Sequence, residues 1–552
     1  MTKAPRFKRR VDRRLFFWSA SQRNATRGHE CAATPALESK ATFGNISAVK
    51  TGRVIETRDA SQTRLPYVSK SKYLWGLQCP KLLWHTYNAK DLIPEPDAAQ
   101  QAIFDQGHEV GALAKKLFPD GIEVGEGITD LDETIQHTTP ALKLRKPLFE
   151  AAFAASGGYC RVDILKPVLT NAWDIIEVKS TTSLKDVHLD DLGFQAWVLT
   201  ETGLKVRACF LCHINPGFAR CGGIDPRKFF IMEDVGKQVS SLSRNTEDQL
   251  GDMFKTIQLP AHPDVQIGPH CDAPYTCPLH ARCWSFLPET NVTALYRGGQ
   301  KGFNLLASGV TALADIPDEF KLTDNQQIQR RAARTGQPHV DPPAIHAFLN
   351  QIEYPASFLD FETFGTAIPF YDDLHPFQQV PFQFSLHVVA SPNQAPEHYK
   401  FLAEGRNDPR PDFMRRLREV LPTEGSIVAF NASFELGRLK DCCEALPEFV
   451  PWLKTIEQRV VDLLLPFRGF RYYHPQQQGS ASLKAVLPAL TGKGYDHLAI
   501  QEGDTAGREF LRVTFGDVSE AERRRIRRDL EAYCGQDTEG MIWIISVLRQ
   551  LV

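Results

Sequence analysis

The stretch Phe358-Leu-Asp-Phe-Glu-Thr-Phe-Gly365 is apolar and aromatic except for Asp360 and Glu362. Its residues favour a buried strand, and alternate residues of a strand face one way, so the two carboxylates project side by side. Paired anions on a core strand repel and lose hydration unless something neutralises them. The spacing therefore points to a metal ion.

Two further segments supply acids. In Ile427-Val-Ala-Phe-Asn-Ala-Ser-Phe-Glu435 the first residues read as a strand ending near Asn431, with Glu435 opening the next helix. A long terminal helix is expected over 519–550, where Ser519 and Glu522 stand at capping-box spacing. On it Ile526, Leu530, Tyr533 and Asp537 share one face, which turns Asp537 inward with core residues. Asp360, Glu362, Glu435 and Asp537 together would form a pocket that needs cations. Asp462, in a strand-like run, is a candidate supporting acid or, equally, a turn or strand-end acid. Ser480, Ser482 and Lys484 lie at a helix start, as phosphate contacts or as a simple cap. The run Glu522-Arg-Arg-Arg-Ile-Arg-Arg-Asp-Leu-Glu531 is a solvated face or a contact to a nucleic-acid backbone.

Asp360/Glu362, then Asn431-Ala-Ser-Phe434-Glu435, then Tyr533/Asp537 resemble the three motifs of DnaQ-like 3′→5′ exonucleases of the RNase H-like fold. The resemblance implies that the four acids hold Mg²⁺ or Mn²⁺ and that Tyr533 positions the attacking water. Two ions about 4 Å apart activate water and stabilise the leaving oxygen in such sites. Glu435 stands where Asp is usual, which alters metal geometry.

An earlier constellation is Asp163, in Gly157-Gly-Tyr-Cys-Arg-Val-Asp163, with Glu177-Val-Lys179 on the next strand and Gln195 on the following helix. A hairpin would bring Asp163 beside Glu177, giving a hard-cation site with an adjacent ammonium. This pattern resembles the PD-(D/E)XK nucleases of RecB type, where the acids hold metal, the lysine assists water and the glutamine supports the site. The family's upstream helix often carries a histidine four residues after a glycine. Gly111 occupies that offset from Gly107 here, and His108 and Glu109 fall out of register.

His270-Cys-Asp-Ala-Pro-Tyr-Thr-Cys-Pro-Leu-His-Ala-Arg-Cys283 spaces three thiols evenly, and Cys79 stands alone upstream. One early cysteine and a late trio around a RecB-like core resemble the iron–sulfur nucleases, which implies a [4Fe–4S] cluster on Cys79, Cys271, Cys277 and Cys283. Zinc, with His270 or His280 replacing a thiol, and unligated buried thiols are the alternatives. Cys209 and Cys212 sit in an apolar run and read as core.

The 552 residues exceed one ordinary core. The expected organisation is a basic segment over 1–66, a RecB-like domain over 67–290, a helical connector over 291–350 with a faint helix–hairpin–helix character, and a DnaQ-like domain over 351–552. Fold class is thus α/β and multidomain, restriction-endonuclease-like plus RNase H-like. Leu65–Asn88 reads as an aromatic-rich helix. Segment 1–66 holds 14 Lys and Arg against 5 Asp and Glu. It reads as a disordered or over-long start, or as a targeting or nucleic-acid-binding arm.

The net charge of −2 gives the body no general positive field, so nucleic acid must use a local channel. Twelve cysteines without an export signal fit a cytoplasmic protein better than a disulfide framework. No apolar run reaches membrane-spanning length. Both halves together resemble an uncharacterised bacterial family. The expectation is a nuclease acting on DNA ends or single strands in repair, processing or defence, with an RNA-processing exonuclease or a non-catalytic nucleic-acid scaffold as alternatives. The G-x4-G-K-[ST] loop is absent, so any unwinding requires a helicase partner.

Overall fold

The computed structural model describes residues 66–125 and 127–552. All but the last residue of the basic 1–66 segment lies outside the described residues. The aromatic run after it is not one helix: Val68–Ser69 is a short strand, followed by the helices Lys70–Gln78 and Pro80–Asn88. Between the helices Cys79 is extended, at φ −158° and ψ 117°. Pro80 causes the break, because proline has no N–H and pushes the residue before it out of helical geometry.

The first sheet is built from Val68–Ser69 (β1), Ile122–Glu123 (β2), Leu148–Ala155 (β3), Gly158–Val168 (β4), Ala172–Lys179 (β5), Lys205–Ile214 (β6) and Phe230–Asp234 (β7). Its order is β2-β3-β4-β5-β6-β7, with β1 added alongside β4. The β3-β4-β5 meander is antiparallel, β5 and β6 are parallel, and β7 closes the edge antiparallel. The crossover from β5 to β6 is the helix Asp186–Glu201, as a parallel pair requires. That helix covers one face with Leu192, Phe194 and Val198, and the helix Ala98–Lys115 covers the other with Val110 and Leu113. Cys209 and Cys212 join apolar clusters on opposite faces of β6.

Short helices follow, including Gln300–Ala307 and Asp324–Thr335, around a small core of Val292, Leu295, Leu305 and Leu313.

The remaining strands are His339–Val340 (β8), Ala356–Phe364 (β9), Val380–Val389 (β10), Glu397–Leu402 (β11), Ile427–Ala429 (β12), Val460–Asp462 (β13) and Tyr472–Tyr473 (β14). The second sheet has the order β11-β10-β9-β12-β13, and β8 pairs separately with β14. β10 is antiparallel to both neighbours, whereas β9, β12 and β13 run parallel. Period-two alternation sorts β9 between two layers. Phe358 and Phe364 join a core shared with the terminal helix Glu520–Gln550, while Leu359 and Phe361 pack with Phe413, Met414 and Leu439 beneath. Full burial of each phenylalanine contributes about 1.5–3 kcal/mol. Asp360 and Glu362 share the parity of Phe358, hence the face under the terminal helix.

Candidate functional site

The terminal helix starts at Ser519, whose hydroxyl accepts from Glu522 N at 3.2 Å, and crosses β9 and β10 with its apolar stripe. Ile526, Leu530, Tyr533 and Asp537 are all buried. Asp360, Glu362, Glu435, Tyr533 and Asp537 line one open cleft of about 1020 Å³. The structure therefore brings together the four acids and the tyrosine expected of the second site. Burial first, then repulsion from Asp537, Glu362 and Glu435, raises Asp360 well above the usual carboxylate range. Glu362 is raised by burial and by Asp537, against a partial offset from Lys484. Burial pushes Asp537 up to about 7 and Glu435 up to about 8.

Partners are few inside this cage. The Tyr495 hydroxyl donates to Asp537 Oδ1. Glu435 is 5% exposed, and its Oε2 has no hydrogen-bond partner. A buried carboxylate oxygen left this way is free to ligate a hard cation. The Cys534 thiol lies 3.9 Å from Asp360 Oδ2, and one ligand atom from each of Asp360, Glu362 and Cys534 fits within 4.8 Å. The residues thus fit divalent ions held by carboxylates. The cleft's cationic side comes from Lys484, Arg297 and Arg468. Lys484 sits in the first turn of the helix Leu483–Thr491, with Nζ 5.4 Å from the centre of the Tyr533 ring. Ser482 makes no side-chain cap there, and Ser480 Oγ lies 3.1 Å from Ser482 Oγ.

Asp462 serves a turn instead of the cleft: its Oδ1 accepts from Asn431 N at 2.9 Å and Leu464 N at 3.0 Å. Asn431 takes φ +73°, a left-handed geometry that asparagine tolerates, and so redirects the chain from β12 into the helix bearing Glu435. The arginines near the start of the terminal helix face local partners: Arg523 and Arg524 pair with Glu520, Arg525 with Asp529, and Arg527 donates to the carbonyls of Leu402 and Ala403.

In the first sheet, β4 and β5 form the expected hairpin, and Asp163 Oδ2 accepts from Val178 N at 2.8 Å. Glu177 takes Lys179 Nζ at 2.6 Å on Oε1 and Gln195 Nε2 at 2.7 Å on Oε2. The four expected residues converge, with two more that the sequence reading missed. Asp191 accepts from Lys179 at 2.7 Å and from Gln195 at 2.8 Å, and Lys70 reaches Glu177 at 2.8 Å. Asp191 stands four residues before Gln195, a signal that the i,i+4 rule offers. Lys70 lies 107 positions from Glu177 and has no local signal. Burial alone would raise Glu177, but Lys179 and Lys70 hold it well below its usual range. Burial and Glu177 push Asp163 up to about 7. His108 and Glu109 are exposed on their helix.

Cys79, Cys271, Cys277 and Cys283 line one small apolar pocket, with His270 and His280 at its wall. None of the four is in a disulfide. Gln78 Nε2 donates to the carbonyls of His270 at 2.8 Å and Tyr275 at 2.7 Å, tying Cys79 to the trio's segment. Four convergent free thiols fit a cluster or a zinc ion. His280 stacks on Trp284 at 4.2 Å between ring centres, and His270 Nε2 lies 3.8 Å from Cys271 Sγ.

Comparison with known proteins gives distant likenesses. The chain is 25% identical over 223 residues to the uncharacterized protein MG366 of Mycoplasma genitalium, covering 37% of this chain and 33% of that one. It is 23% identical over 217 residues to the uncharacterized protein UU173 of Ureaplasma parvum, covering 35% and 31%. The chain thus spans about a third of the length of the curated relatives it matches. The crystal structure of SSO0001 overlaps 42% of this chain and 91% of that one at 12% identity, with a TM-score of 0.22. Residues 357–482, which carry Asp360, Glu362 and Glu435, match the family described as a domain of unknown function, DUF2779.

Proposed function

We propose that the protein is a metal-dependent nuclease whose second sheet carries a DnaQ-like exonuclease site. The observation that carries this reading is the convergence of four protonation-prone carboxylates, three buried and one half-buried, on one open cleft, one of them with an orphaned oxygen. The sheet order β11-β10-β9-β12-β13, with acids on its central strand and on the terminal helix, is the one expected of an RNase H-like fold. Asp360, Glu362, Glu435 and Asp537 would hold Mg²⁺ or Mn²⁺. Such ions supply Lewis acidity toward the phosphodiester and neutralise charge on its leaving oxygen. Tyr533 orients water at the cleft floor, and Lys484 with the adjacent helix N-terminus receives the phosphate.

The first sheet supports a second, RecB-like site of the PD-(D/E)XK class on Asp163, Glu177, Lys179 and Gln195. Its neighbouring thiol pocket suits a [4Fe–4S] cluster, with zinc as the alternative. The substrate we favour is DNA with a single-stranded end in the cytoplasm, with a helicase as supplier of such ends. Among the described residues no helix is long and apolar enough to cross a membrane.

The test is digestion of matched end-labelled DNA and RNA oligonucleotides with Mg²⁺ or Mn²⁺, using the wild type, D360A and D163A. Cleavage that D360A abolishes supports the reading. Preference for RNA would assign an RNA-processing role, since only contacts to the 2′-OH separate the two substrates. No cleavage under any of these conditions would leave a binding scaffold. Visible absorbance of anaerobically purified protein separates cluster from zinc.

A further inference from the structure

The acid cluster of the first sheet already contains two cations. Lys70 Nζ stands 2.8 Å from Glu177 Oε1, 3.8 Å from Asp191 Oδ1 and 3.9 Å from Asp163 Oδ1. Lys179 bridges Glu177 and Asp191 from the other side, at 2.6 and 2.7 Å. The close contacts among these engage most of the ligand atoms. Glu177 Oε1 serves both ammonium groups, Glu177 Oε2 takes Gln195, and Asp163 Oδ2 takes the Val178 amide. Asp163 Oδ1 is left to face Lys70. A divalent ion on Asp163 and Glu177 would need the place that the Lys70 ammonium fills.

Charge leads to the same conclusion. Even with all three carboxylates ionised, two ammonium groups leave only one net negative charge, too little to draw a dication out of water. With Lys70 swung away the cluster carries two. The fully buried Gln195 points to what would then enter: Nε2 bonds Glu177 and Asp191, while Oε1 has no partner. A neutral amide oxygen beside carboxylates suits a hard cation.

We propose that Lys70 is a tethered counter-ion that occupies the divalent-cation position at Asp163 and Glu177, and that metal enters as Lys70 withdraws. The inference rests on reading those two acids as metal ligands. Withdrawal needs no change of fold. Lys70 opens its helix directly after the N-cap Ser69, its side chain keeps 23% exposure, and its four-carbon stem can swing Nζ outward. Lys70 thereby sets the cation concentration at which the first site becomes competent, and among the described residues no lysine or arginine in the cleft of the second sheet pairs with Asp360 as Lys70 does with Glu177.

Calorimetric titration with Mn²⁺ in a D360N/D537N background, which disables the second acid cluster, tests this directly. The background is compared with the same protein carrying K70M or K70R, all checked for fold by circular dichroism. Losing a charged hydrogen-bonding competitor should tighten Mn²⁺ binding in K70M by about ten- to a hundredfold, and K70R should stay weak. Equal or weaker binding in a folded K70M overturns the counter-ion, because Lys70 would then be a strut or a substrate contact. If neither the background protein nor K70M binds Mn²⁺, the metal-site reading of Asp163 and Glu177 falls, and the proposal with it.

Discussion

Replacing Asp537 with asparagine separates a strained metal ligand from a structural acceptor. Asp537 is 5% exposed and its acidity is weakened to about 7, with burial as the leading cause. An unfolded aspartate ionises near pH 4, so between about pH 4 and 7 the folded chain binds the extra proton and stability falls as pH rises. Across about three pKa units the loss reaches about 4 kcal/mol by pH 8 in the absence of metal. Asparagine keeps an oxygen for the Tyr495 hydroxyl and carries no charge. For an unfolding unit of this size that energy corresponds to about 4 °C in Tm. Thermal unfolding in EDTA should therefore show D537N above the wild type at pH 8 and level with it at pH 4. Saturating Mn²⁺ should raise the wild type past the variant. A D537N protein that melts below the wild type in EDTA at both pH values would refute the reasoning, since Asp537 would then be stabilising as an anion.

Mn²⁺ affinity of the second site should rise with pH between 6 and 8, because Glu435 and Asp537 must each release a proton to bind; calorimetry in buffers of different ionisation heat counts the protons. K484M should raise KM for an oligonucleotide with little change in kcat and reduce the salt dependence of binding by about one charge. C277S should lose the metal content of the thiol pocket, read by elemental analysis, and unfold at a lower temperature. G425A should cost more than about 2 kcal/mol in urea unfolding, because Gly425 has φ +75° and an added Cβ would fall 2.0 Å from Pro355 O.

The second site was legible because each of its acids breaks a regular pattern. Asp360 and Glu362 interrupt an alternating strand, and Asp537 lies on the apolar stripe of a helix whose N-cap is written in the sequence. Periodicity turns such interruptions into directions in space. The first site was only half legible. Asp163, Glu177 and Lys179 sit on one hairpin, so local spacing relates them, whereas Lys70 arrives from a helix whose position depends on tertiary packing. Tyr495 and Asp504 reach the cage from loop and helix-start positions where nothing periodic marks them. The break at Cys79 was written in the sequence by Pro80, but the surrounding aromatic residues suggested one continuous helix.

The hydrogen bonds that join a loop and the helix Ala98–Lys115 beside the first sheet to the segment after β9 have a mechanical consequence. Arg220 N donates to Leu374 O, Asp373 N to Arg220 O, Arg220 Nη1 to Pro369 O, and Ala367 N to Gln106 Oε1. Ala367 itself is buried in the apolar cluster of Phe218 and Phe229. Producing the two halves as separate fragments would leave these donors and acceptors open to water and uncover the cluster on the first fragment and Ala367 with Ile368 on the second. The two halves would then behave as sticky, aggregation-prone pieces. With the seam intact, each half serves as the other's cover, as two halves of a shell do.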